Sequence, residues 1–194
     1  MLRRTRIVAA LLLAAGCVGA DAQVTWKTVP IGGRSDFSID MPAKVDPETK
    51  LDPGELFVFF ASSDDDDVIC MLSLNAYTAD VTREKAIAGV GSDRRDTFCS
   101  GDDGAKDFDM LESKAAVNSG YPAGICASIS TNPSGKKPAQ IVTAMVVAAP
   151  AGVYDLQCHI SADDQDDLDF DWADTLGDFA HHMQDSLKLP ARNY

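Results

Sequence analysis

Runs of apolar and β-branched residues, broken at regular intervals by turn residues, dominate the second half of the chain. Phe108 to Val117, Ala123 to Thr131, Ile141 to Ala149 and Val153 to Ala162 all have strand length and strand composition. Between them stand Asn118-Ser119-Gly120-Tyr121-Pro122, Asn132-Pro133-Ser134-Gly135 and Pro150-Ala151-Gly152, residue types that favour tight turns. Connections this short predict antiparallel neighbours, because a parallel pair needs a long crossover. Upstream, Trp26 to Val29 and Phe37 to Met41 read as a small hairpin about Ile31-Gly32-Gly33-Arg34-Ser35-Asp36. Leu56 to Ala61 and Val68 to Ala79 read as a second hairpin with an acidic tip at Asp64 to Asp67.

Two segments change period. Ile87, Val90, Arg94 and Phe98 follow a helical repeat that Asp80 or Thr82 can cap, although Gly89 and Gly91 weaken it. The last segment is stronger: Trp172, Leu176, Phe179, Met183 and Leu187 fall on one helical face. Asp171 is its expected N-cap and Pro190 its expected stop. That face predicts a clamp packed on the sheet. No internal repeat or linker divides the chain, so residues 23–194 are expected to form one domain.

The N-terminus reads as an address. Arg3, Arg4 and Arg6 precede the apolar stretch Ile7 to Ala15, and Ala20-Asp21-Ala22 supplies a small-x-small cleavage site. Residues 1–22 are thus expected to be a signal peptide, and the mature protein periplasmic or secreted. The rival reading is a lipoprotein anchored through Cys17, because Ala14-Ala15-Gly16-Cys17 approximates a lipobox, with Leu13 one position too early. Apart from this short run no stretch is apolar enough for a transmembrane segment.

Charge and cysteine content sharpen the picture. Cleavage after Ala22 leaves 14 basic against 29 acidic side chains, a net charge of -15. Such a surface repels phosphate backbones and anionic headgroups, which disfavours nucleic acid as a partner. Four cysteines then remain, Cys70, Cys99, Cys126 and Cys158, without a CxxC spacing, so two disulfides are expected rather than a zinc ribbon. Cys70 is in phase with Val68, Leu72 and Leu74, and Cys158 with Tyr154, Leu156 and Ile160, which makes both core-facing. Cys126 is in phase with Ser128 and Ser130. The expected pairs are Cys70–Cys158 and Cys99–Cys126, with the other connectivities open.

Several phrases resemble the PsbP-type (Mog/PsbP-like) fold family: FSIDMP, VNSGYPAGIC, AAPAGVYDLQCHISADD and WADTLGDFAHHMQDSLKLP. The resemblance implies that Phe37 to Pro42 open the sheet, that Gly120 to Ala123 start a strand, and that Ser186 to Lys188 end a helix packed on the sheet. With the element order it implies an α+β fold, an α/β/α-type sandwich with a central, mainly antiparallel sheet and an amphipathic C-terminal helix. It also implies a non-enzymatic accessory role and carries over no catalytic residue. The four cysteines and the acidic loops fall outside the family's general pattern.

Motifs for nucleophilic, nucleotide or zinc-protease chemistry are absent from the sequence. His159 alternates out of phase with Leu156, Cys158 and Ile160, so it is expected on the other sheet face, held by a hydrogen bond. No cofactor is expected, but calcium is a candidate. Asp167, Asp169 and Asp171 offer hard oxygen ligands, without the turn Gly and terminal Glu of an EF-hand. Asp174, Asp178, His181 and Asp185 form a stripe on the last helix that offers a transition metal mixed ligands. The plain alternative for both is a solvated acidic rim. Gly32-Gly33-Arg34 reads as a hairpin turn, Lys136-Lys137 as a solubilising pair, and Trp26 as packed near the first hairpin. The leading expectation is an exported, non-enzymatic module that binds an envelope protein or small ligand. The competing class is an exported carboxylate- or metal-dependent hydrolase.

Overall fold

In the computed structural model the described residues are 24–62, 66–91, 107–131, 139–162 and 176–190. They form β1 (Trp26–Ile31), β2 (Arg34–Pro42), β3 (Glu55–Ser62), β4 (Asp66–Asn75), α1 (Arg83–Gly91), β5 (Asp107–Asn118), β6 (Tyr121–Thr131), β7 (Ala139–Ala149), β8 (Gly152–Ala162) and α2 (Leu176–Ser186). β1 and β2 pair as a two-stranded sheet, and the other six strands form an antiparallel sheet ordered β3-β4-β8-β7-β6-β5. The meander from β5 to β8 therefore ends against β4, and two distant hairpin units share one sheet.

Alternation decides what each face meets. Phe57, Phe59, Val68, Cys70, Leu72, Tyr154, Leu156 and Cys158 point inward and pack with Phe37, Ile39 and Met41 of β2 and Phe179 and Met183 of α2. The first layer is thus the β1–β2 hairpin with α2. On the opposite face α1 lays Ala86, Ile87 and Val90 over Val146, Ala148 and Val153. Every residue of β7 from Ile141 to Ala149 is buried, which accounts for a continuous apolar run where alternation would otherwise be expected. The result is an α+β sandwich whose central sheet is antiparallel.

The expectations are corrected at three places. β1 and β2 form their own sheet and lie over the main one, so Phe37 to Pro42 do not open it. β4 stops at Asn75, because its last register partner is Val153 and β8 turns away at Gly152. Tyr77 leaves the ladder and donates its hydroxyl to the Ala149 carbonyl at 2.6 Å. Of the two expected caps for α1, Thr82 takes the role: the Lys85 N–H donates to Thr82 Oγ1 at 3.3 Å. α2 closes at Ser186, before Pro190, because the residues after it are bound elsewhere. Lys188 exchanges backbone hydrogen bonds with Ser38 of β2. The expected continuation of the first helix to Phe98, and Asp171 and Trp172 at the start of the last, lie outside the described residues.

Candidate functional site

The α1 side of the sheet carries a polar row that strand alternation creates directly. Asp155, Gln157 and His159 alternate with the inward Tyr154, Leu156 and Cys158 of β8 and so share the opposite face. His159 Nε2 donates to Gln157 Oε1 at 3.0 Å, and Gln157 Nε2 donates to Asp155 Oδ2 at 2.7 Å. Asp155 Oδ1 is sealed from solvent and has no hydrogen-bond partner among the described residues. Burial pushes the Asp155 carboxyl up to about 6, against the opposing hydrogen bond from Gln157. The carboxyl therefore holds its proton to higher pH than an exposed aspartate does, with one oxygen enclosed and the other engaged by Gln157.

Beside this row the same face becomes apolar and open. Phe60 of β3 stands opposite Ile69 of β4, and Ile69 opposite His159 of β8. Phe60 is 45% and Ile69 41% exposed. The next row, Val58 opposite Met71 opposite Gln157, is half-buried. Solvent-facing strand positions are usually polar, so two adjacent large apolar side chains are the feature of this face that folding alone does not require. The middle of β3's free edge is occupied, since Glu48 N–H donates to the Val58 carbonyl at 2.7 Å and Pro47 bridges Phe59.

The histidines of α2 make structural contacts. His181 Nε2 donates to Glu112 of β5 at 2.8 Å. Burial acts to raise the Glu112 carboxyl, but hydrogen bonds from Lys114 and His181 outweigh it and hold it below the ordinary value. His182 Nε2 donates to Asp40 of β2 at 3.1 Å, and its ring stacks on Trp26 with centroids 3.9 Å apart. Trp26 also meets Phe179 at 5.2 Å, so it is packed between hairpin and helix, as expected.

The candidate site residues are distributed as follows. Cys70 and Cys158 are register partners and form a disulfide with Cα atoms 4.1 Å apart. Cys126, on the other face, is also disulfide-bonded, and Cys99 lies outside the described residues. Asp167, Asp169, Asp171 and Asp174 lie outside them as well. Asp178 and Asp185 are exposed, and His181 turns to Glu112 rather than completing a ligand set with them. Among the described residues no group of three His, Cys, Asp or Glu side chains is placed to share a metal ion. His159 lies on the other sheet face in a hydrogen bond, as its phase predicts, whereas sequence reading missed Asp155 and Gln157 of the row and the apolar pair, although Asp-x-Gln-x-His within a strand was a legible signal for the first.

No family model matches the sequence, and no curated protein matches it. Solved structures do. The solution structure of cyanobacterial PsbP from Synechocystis is 13% identical, with a TM-score of 0.50, and the match covers 88% of this chain and 96% of that one. The Ran-binding protein Mog1p of Saccharomyces cerevisiae is also 13% identical, with a TM-score of 0.48 over 84% of this chain and 93% of that one. LpqN, involved in cell envelope biogenesis of Mycobacterium tuberculosis, is 15% identical, with a TM-score of 0.47 over 84% and 89%. The chain has the PsbP-type fold. No described helix is long and apolar enough to cross a membrane.

Proposed function

We propose that this chain is an exported, non-catalytic binding protein of the cell envelope, which presents one face of its PsbP-type domain to a protein partner. The observation that carries this reading is the exposed Phe60–Ile69 pair on a sheet whose other face is filled by a hairpin and a helix. Contiguous exposed apolar surface on a folded domain marks an interaction site. Export is supported by the signal-like residues 1–22 and by the Cys70–Cys158 disulfide, which suits an oxidising compartment. A non-catalytic role is supported by the histidines, which bond to Gln157, Glu112 and Asp40 in structural contacts. The hydrolase alternative draws on Asp155, whose carboxyl burial pushes up to about 6. Its enclosed Oδ1 suits a buried proton better than a base facing substrate.

The test is affinity capture from envelope extract with the oxidised mature protein, alongside intact mass of the exported form. A saturable protein partner, and a mass corresponding to a start at Gln23, are expected. Retention in the cytoplasm, or the absence of any saturable partner, would overturn the reading.

A further inference from the structure

Resting on that reading, we propose that the outer face of β3 and β4, centred on Phe60 and Ile69, docks a basic segment of the partner that carries apolar side chains among lysines or arginines. The face has an apolar half set by strand register. Phe60 and Ile69 are directly opposed, Val58 and Met71 extend the strip by one row, and His159 borders it on β8. Neighbouring cross-strand side chains of this kind form a continuous surface. The occupied middle of β3's edge directs a partner to the face rather than to an added strand.

The charged half comes from what these strands carry. β3, β4 and β8 contain no lysine or arginine, and Asp64 to Asp67 stand in sequence where β3 joins β4, ending two positions from Ile69. A mature charge of -15 adds a long-range field of the same sign. A partner therefore gains by supplying cations around its apolar contacts. A second copy of this chain would carry the same net negative charge and, like an anionic membrane, would be repelled. A basic, apolar protein segment satisfies both halves.

The probe is a short fluorescent peptide of alternating leucine and lysine, compared with leucine–glutamate and serine–lysine peptides of equal length and titrated by anisotropy. The leucine–lysine peptide should bind the mature protein about tenfold or more tighter than either comparator, and high salt should weaken it. The double variant Phe60→Ser/Ile69→Ser should lose about tenfold or more in affinity. Val117→Ser, at a 74% exposed position on the opposite edge strand, should not change it. If the double variant fails to fold by circular dichroism, Ile69→Thr alone should still weaken binding several-fold.

Equal binding of the serine–lysine peptide, unchanged affinity in the folded variants, or self-association of the wild type that the double variant abolishes would each overturn the proposal. The envelope partner separates this failure from that of the functional reading. If the double variant captures it as well as the wild type does, the docking face is wrong and the binding role stands. If the wild type captures none, the role itself is wrong.

Discussion

Asn118 finishes the helix that Leu187 leaves. The side-chain amide of Asn118, at the end of β5, donates to the Leu187 carbonyl at 3.0 Å and to the Gln184 carbonyl at 3.3 Å. Those carbonyls lie where a helix end runs out of its own donors. The next residues continue the capture: Leu189 N–H donates to Ser119 Oγ at 2.9 Å, and the Tyr121 hydroxyl to the Pro190 carbonyl at 3.2 Å. Ser119 and Gly120 have φ values of 52° and 82°, a pair of left-handed residues that turns the hairpin tightly enough to aim Asn118 at α2.

Asn118→Ala should consequently destabilise the protein by about 2 to 4 kcal/mol, since two buried carbonyls lose their donor. Urea denaturation measures this. An unchanged midpoint would mean that water replaces the amide without cost.

Phe179 is buried between Trp26 and the sheet. Phe179→Ala should cost about 3 to 5 kcal/mol, the range for emptying a buried aromatic site. The same denaturation experiment checks it, and an unaltered midpoint would show that α2 does not clamp the hairpin to the sheet.

The Cys70–Cys158 disulfide closes a separation of 88 residues across directly paired positions. Replacing both cysteines by alanine should remove about 2 to 5 kcal/mol. Thiol alkylation of the purified, unreduced protein should label neither residue; modification of either under denaturing conditions would contradict the pairing.

Asp155 predicts a pH dependence of definite sign. Its folded-state pKa of about 6 lies above the ordinary value for an aspartate because burial disfavours the charged form, so the folded protein holds the proton more tightly than the unfolded chain. The favourable contribution is complete below about pH 4 and disappears as pH rises through about 6. Asp155→Asn keeps an acceptor for Gln157 and removes the charge. It should stabilise the protein by up to about 3 kcal/mol at pH 7.5 and hardly at all at pH 4. Melting curves of the two proteins across that range test the difference; a constant offset would be the wrong result.

Local chemistry made most of the elements legible. Turn residues and alternation placed β5 to β8 within two residues of their ends, and the 3.6-residue period identified Phe179, Met183 and Leu187 as one buried face. Alternation also put Cys70 and Cys158 on the same side of their strands, since phase is a property of each strand alone. Sequence could not decide that β8 would pair with β4, because register across so many intervening residues depends on the whole core closing at once. Nor could it show that the first hairpin would lie over the sheet instead of joining it. The site was undetermined for the same reason. Phe60, Ile69 and His159 come from three strands and share a row only after β3, β4 and β8 pair, and Asp155 acquires its raised pKa only when folding buries it.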